Sequence, residues 1–396
     1  MIMEEKEYMH FSEYKEPQLS GERFSVIYKL SGDEKEAYAK AQDLCLEQTV
    51  EFPGELLPEG TIRDSIVGKI ESFEKHDNSH YIATVSYAVE TASSELTQLI
   101  NVVFGNSSIK PGIRVEKLIF SDALLKNFKG PRFGINGLRE YLGIKDRPLL
   151  FTALKPMGLS SQDLADLAYK FALGGIDIIK DDHGLSNQSF SPFEERVELC
   201  VNAVNKANSE TGRKSIYVPN ITAPFGEMIE RARKAKMLGA GGLLISPGLT
   251  GFDAMRQISE DESINLPIFS HPAFLGTYVM SGEMGISHGA LFGQIMRLAG
   301  ADATIYPNFG GRFSFSREEC ESIAACASEK MGNLKPIFPC PAGGMSLSSI
   351  PESLKVYGKD VIFLVGGGLF RHGPNLIENC AYFKKLVENI DLKELS

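Results

Sequence analysis

The hydrophobic pattern of the chain changes near residue 149, and the two sides of that point predict different architectures. On the N-terminal side, Phe24 to Leu30 reads as a strand and Asp33 to Leu44 as a helix. Two strands (about 62–75 and 81–90), a helix (about 94–104) and a further strand (about 112–120) follow. This β-α-β-β-α-β order predicts a ferredoxin-like α+β domain over residues 21–121, preceded by a polar arm at 1–20. Residues 122–148 mix Gly, Pro, Lys and Arg without a period and read as a linker.

From Leu149 onward, short apolar runs alternate with amphipathic stretches. The runs occupy 149–155, 177–182, 215–221, 242–246, 266–271, 302–307, 335–340 and 361–365, and helical patterns such as 191–212 and 375–391 follow them. A strand that is apolar at nearly every position is buried on both faces. Eight such units over 149–396 predict a C-terminal (β/α)8 TIM barrel, with a doubly wound open sheet as the competing arrangement.

Composition narrows the function. Of 396 residues, 43% are hydrophobic and 23% charged, as expected for a soluble globular protein. The net charge of −10 argues against a nucleic-acid partner. No apolar run approaches the roughly 18 residues of a membrane span, and the first residues are acidic and polar, so a cytoplasmic location is expected. Six cysteines without CxxC spacing read as core thiols rather than as disulfides or a zinc site.

In a barrel, the carboxyl ends of the strands converge on one mouth. Lys155 and Pro156 end the first strand, Lys180, Asp182 and His183 the second, Asn220 the third and His271 the fifth. The sixth leads to Tyr306 and Asn308, the seventh to Cys340, Gly343 and Gly344, and the eighth to Gly366 and Gly367. Alternation along a strand puts Lys180 and Asp182 on one face and Asp181 on the other. Lys180 could be a satisfied salt-bridge partner of its neighbouring aspartates, but two lysines and a histidine on the same rim point to proton transfer. The glycine runs suit either tight turns or an anion-binding nest, and a phosphate site after strands seven and eight is the favoured reading. Cys340 reads as a packed thiol before a proton shuttle.

The segments GGIDIIKDD (174–182), TALKPMGLS (152–160), Asn220 to Ala223, NFKGPRFGI (127–135) and the two glycine loops resemble the RuBisCO large-chain superfamily over nearly the whole chain. The resemblance implies that Lys180 forms a carbamate with CO2 and binds a divalent metal with Asp182, and that Lys155 handles protons. It also implies that His271 lies beside the substrate and that Gly343, Gly344, Gly366 and Gly367 hold a phosphate. Glu47, within CLEQTVEFP, and Asn101, whose register is off by one, resemble residues that complete the partner subunit's site, so a homodimer is implied.

The chain also departs from that pattern. His183 replaces the third metal ligand, a glutamate in carboxylases; Mg2+ is the ion expected first, with Mn2+ or another softer ion as the alternative because an imidazole suits Mg2+ less well. Met157 and Pro272 replace a lysine and an arginine, Tyr306 replaces the strand-six histidine, and Arg312 stands near the place of the loop lysine. A RuBisCO-like protein of the form IV kind is therefore expected, with one phosphate site and no carboxylation of ribulose bisphosphate. The leading expectation is an isomerase or tautomerase enolising a methylthio-ketose phosphate. Alternatives are a decarboxylase of a 3-oxo sugar-acid phosphate (3-oxo-isoapionate-4-phosphate type) and a non-catalytic phosphometabolite-binding protein. Asn106 stands near the place where the methionine-salvage enolase branch carries a lysine base, which disfavours that reaction.

Overall fold

The computed structural model describes residues 14–224, 226–346 and 348–389, which form two compact units. The first thirteen residues of the expected N-terminal arm lie outside that description.

The first unit comprises the chain up to Phe128 together with Thr277–Ser287. Its strands are β1 (Arg23–Ser31), β2 (Lys69–Lys75), β3 (His80–Ala88) and β4 (Ile113–Ile119), paired in the order β4-β1-β3-β2, all antiparallel. Along β1 every second residue, Phe24, Val26, Tyr28 and Leu30, is buried, as a sheet with one covered face requires. Helix α1 (Glu34–Glu47) begins at a capping box between Asp33 and Glu36. The strand expected over 62–75 begins only at Lys69, because Ile62–Ile66 winds into a π-helical turn. Gly68 then passes so close to helix α1 that a Cβ there would lie 2.8 Å from the Cys45 Cα. Far along the chain, β10 (Gly285–Ile286) joins the same sheet, parallel to β4.

The second unit is a barrel of parallel strands. They are β5 (Leu149–Leu154), β6 (Ile178–Asp181), β7 (Ile216–Val218), β8 (Leu243–Ile245), β9 (Ile268–Ser270), β11 (Ala303–Pro307), β12 (Phe338–Ala342) and β13 (Ile362–Leu364). Two hydrogen-bonded arcs, β13-β5-β6-β7 and β8-β9-β11-β12, meet at a bridge between Asn220 and Leu244, and β12 packs beside β13. Inward residues such as Phe151, Ile178, Val218, Leu244, Phe269, Ile305 and Cys340 fill the interior. Helix Gly134–Leu142 lies within the segment expected to be a linker, and its Ile135, Leu138 and Leu142 pack against the same core.

A buried carboxylate joins this helix to the strands. Asp302 Oδ1 accepts from the Phe133 and Gly134 amides, each at 2.7 Å, and Oδ2 accepts from the Ile268 amide at 2.9 Å. Asp302→Ala would leave two buried donors and one part-buried donor without an acceptor, so chemical denaturation should show a loss of about 3 kcal/mol or more. A loss below about 1 kcal/mol would mean that the helix contributes little to barrel stability.

All six cysteines are free thiols. Among the described residues, no helix is long and apolar enough to cross a membrane.

Candidate active site at the barrel mouth

Strand β6 sets the site by sending consecutive ionisable residues in opposite directions. The Asp181 carboxylate is fully buried away from the mouth, where it accepts from Arg196 Nε at 3.2 Å, the Tyr217 hydroxyl at 2.6 Å and the Asn220 amide at 3.0 Å. The residues on either side of it, Lys180 and Asp182, point the other way.

Lys180 is buried, and its Nζ donates to the Asp181 carbonyl at 2.9 Å. Burial, reinforced by the charge of Lys155 and opposed by Asp182, lowers its pKa from 10.5 to about 8. A minor fraction is then neutral amine near pH 7, far more than for a lysine at its ordinary pKa, and the neutral amine is the form that reacts as a nucleophile. Asp182 takes its ion partner from another strand: Lys155 Nζ lies 3.0 Å from Oδ1. The salt bridge weighed for Lys180 is thus made by Lys155. His183 Nδ1 approaches the same oxygen at 3.3 Å. Burial opposes ionisation of Asp182, but the His183 contact and the charges of Lys180 and Lys155 outweigh it and hold the carboxylate well below its usual range.

His271 completes the group. Its ring stacks on that of His183, with centroids 4.5 Å apart and planes 12° apart. Burial, then the charges of Lys180 and His183, lowers its pKa well below 6.5, so it is neutral at pH 7. Its Nδ1 accepts from the Ala273 amide at 3.1 Å, which assigns the proton to Nε2. Asn220 shapes the neighbouring loop: its side-chain amide donates to the carbonyls of His183 and Leu185 at 3.0 and 2.9 Å.

The glycine loops after β12 and β13 abut each other, since a Cβ on Gly368 would lie 2.7 Å from the Met345 carbonyl. Gly343 and Gly344 have φ of 81° and 124°, a region that favours glycine. A Cβ at Gly343 would meet the Phe313 ring, and one at Gly344 the Gly311 Cα, whereas Gly366 and Gly367 border open space. Among the described residues, the amides of Gly344, Gly366 and Gly367 make no backbone hydrogen bond, leaving donors for an anion.

Among the rim residues, Tyr306 departs from its sequence reading and Cys340 keeps its reading as a packed thiol. Tyr306 does not enter the mouth: Ile305 is the inward residue of β11, and Tyr306 lies buried against Phe292 and Tyr357. Alternation along the strand makes a one-residue error in register reverse the direction. Asn308 is tied up with Ser353 and Tyr357. Burial raises the Cys340 thiol far above its ordinary range, which fits packing and not proton shuttling. Arg312 is exposed, with its guanidinium over the Phe313 ring.

Glu47 and Asn101 belong to the first unit. Glu47 accepts from Asn106 at 3.1 Å and Lys110 at 2.9 Å, while the Asn101 carbonyl accepts from Gln48 at 2.8 Å. Sequence reasoning passed over Ser246, the residue after β8, whose buried hydroxyl makes no hydrogen bond. The available signal was its place at the end of the fourth strand, next to Ile245, whose carbonyl accepts from the His271 amide at 2.8 Å.

Among the described residues, no three His, Cys, Asp or Glu side chains are grouped to hold a metal ion. Asp182 and His183 offer two donors 3.3 Å apart, a separation that one cation with bonds of about 2.0–2.1 Å can bridge. A third donor requires Lys180 to become a carbamate. That reaction exchanges a cation for an anionic oxygen ligand in a cluster otherwise rich in positive charge, and the low pKa of Lys180 suits it. The residues therefore fit a divalent ion once Lys180 is modified.

Residues 134–377 match the family model of the ribulose bisphosphate carboxylase large chain, catalytic domain. The 5-methylthioribulose-1-phosphate isomerase of Rhodospirillum rubrum is 35% identical over 91% of this chain and 95% of its own. The 2,3-diketo-5-methylthiopentyl-1-phosphate enolase of Geobacillus thermodenitrificans is 33% identical over 90% of both. Among solved structures, a Rubisco-like protein from Rhodopseudomonas palustris superposes with a TM-score of 0.85 at 36% identity, covering 93% of this chain and 98% of that one.

Proposed function

The chain belongs to the ribulose bisphosphate carboxylase large-chain family, and from that premise we propose that it is a RuBisCO-like isomerase that enolises a methylthio-ketose phosphate. The observation that carries this reading is the convergence of Lys155, Lys180, Asp182, His183 and His271 on one barrel mouth. Relatives whose names specify phosphorylated methylthio substrates, and free amides in the glycine loops, support the substrate class.

The substrate phosphate binds the amides of Gly343, Gly344, Gly366 and Gly367 and fixes the register of the carbon chain. A divalent metal held by carbamylated Lys180, Asp182 and His183 would polarise the carbonyl and stabilise oxyanion character on it. Lys155, paired with Asp182 as an ammonium in the resting site, first releases its proton to solvent; the neutral amine then takes the proton from the carbon beside the carbonyl and returns it to the neighbouring one. Neutral His271 donates from Nε2 to a substrate oxygen and needs no proton from solvent to do so. The chain acts as a homodimer, in which Glu47 and Asn101 of one subunit complete the partner's mouth.

Turnover of 5-methylthioribulose 1-phosphate tests the proposal. After incubation with bicarbonate and Mg2+ or Mn2+, the protein should convert the substrate, and a chelator should lower the rate by at least about a hundredfold, given the several kcal/mol a metal contributes. No conversion with either ion would refute the substrate assignment. Conversion that is indifferent to chelator and bicarbonate would refute the metal and the carbamate.

A further inference from the structure

We infer that the side of the mouth opposite the phosphate loops is an apolar wall, built by Phe274 and Leu249, which selects substrates with an uncharged, apolar end. The inference deepens the proposed function and rests on it for the position of the phosphate.

Strand order gives the placement. Around the barrel, β8 stands four strands from β13 in either direction, so the loop after β8 faces the glycine loop after β13 across the mouth. The loop after the adjacent β9 touches that after β8: a Cβ on Gly248 would lie 2.6 Å from the Ala273 carbonyl and 2.9 Å from Leu275. Neither loop contains a charged residue, the first running Ser246 to Gly251 and the second Pro272 to Gly276. A second phosphate arriving there would find no cation on either loop.

The backbone holds Phe274 in an unusual state. The Leu275 amide donates to the Pro272 carbonyl at 3.0 Å and closes a turn in which Phe274 has φ of 68°. That turn position favours glycine or asparagine, and a bulky side chain there is strained. Phe274 nevertheless remains 66% exposed, and Leu249 on the touching loop is 60% exposed. Burial in this chain's own core does not account for either side chain, while burial of a substrate's apolar end would. The same turn supplies the Ala273 amide that fixes the His271 ring, so the wall and the catalytic imidazole are held in one piece.

The test uses n-pentyl phosphate against inorganic phosphate in calorimetric titrations of the wild-type protein, Phe274→Asn and Leu249→Ser. Asparagine tolerates positive φ, which keeps the turn. The expected result is at least about tenfold tighter binding of n-pentyl phosphate to wild type, with the advantage reduced about fivefold or more in either variant. In parallel, kcat/KM for 5-methylthioribulose 1-phosphate over that for ribulose 1-phosphate should fall in both variants, mainly through KM. Equal affinities for the two phosphates in wild type, or an advantage that both variants retain, would overturn the inference. An n-pentyl advantage lost in the variants, without turnover of either ketose phosphate, would uphold the wall and refute the isomerase reading.

Discussion

Replacing Lys180 with methionine is expected to abolish turnover while leaving the barrel at least as stable as before. The side chain is buried, its Nζ has a single hydrogen bond, to the Asp181 carbonyl, and burial lowers its pKa to about 8. A buried ammonium this poorly compensated is a cost to folding that methionine, of similar length, removes. Lys180→Met should therefore gain about 1 kcal/mol in denaturant unfolding near pH 7. Because the amine is also the proposed source of the carbamate, activity should fall by at least about a thousandfold. The pH dependence of stability gives a second readout. Between about pH 8 and 10.5 the unfolded chain holds this proton and the folded chain has released it, so wild-type stability gains a rising contribution over that window. The variant should lack that rise. A large stability loss in Lys180→Met would instead identify Lys180 as a structural residue.

Arg196→Leu should have the opposite profile, with stability as its main casualty. Arg196 and Asp181 are both fully buried, and the guanidinium also donates to the Ser191 and Ser186 carbonyls at 2.6 and 2.7 Å. Removing it strands a buried carboxylate that keeps only the Tyr217 hydroxyl and the Asn220 amide as donors. Breaking a buried pair from one side costs about 3–5 kcal/mol. Asp181 lies between Lys180 and Asp182 in the chain, so the same change should disturb their placement and lower kcat. The double change Arg196→Leu with Asp181→Leu should recover part of the stability, since neither charge is then left alone. A single variant within about 1 kcal/mol of wild type would show that water or a neighbour compensates the carboxylate.

Strand period made much of this site readable from sequence. A run of Ile178, Ile179, Lys180, Asp181 and Asp182 on a doubly buried strand has to send Lys180 and Asp182 one way and Asp181 the other, and Arg196 and Tyr217 receive Asp181 accordingly. The same rule misleads when register is wrong by one, as at Tyr306, where nothing local distinguishes it from Ile305. Other features depend on contacts distant in sequence. Helix Gly134–Leu142 has only nine residues and two glycines in its first turn, so its pattern is weak, and its stability comes from Asp302 and the barrel core. The union of Thr277–Ser287 with the first unit rests on pairing to β4, which no local pattern announces. Lys155 as the partner of Asp182 was likewise beyond sequence, because it depends on how two strand ends are staggered.

The most direct test of the proposed chemistry is deuterium incorporation into 5-methylthioribulose 1-phosphate in D2O, followed by proton NMR, with wild type, Lys155→Ala and Lys180→Met. Wild type should exchange the hydrogen beside the carbonyl at a rate comparable to or faster than turnover, and both variants should lose exchange by at least about a hundredfold. Exchange at the wild-type rate in both variants would place the proton-transfer site elsewhere and contradict the assignment of the barrel mouth.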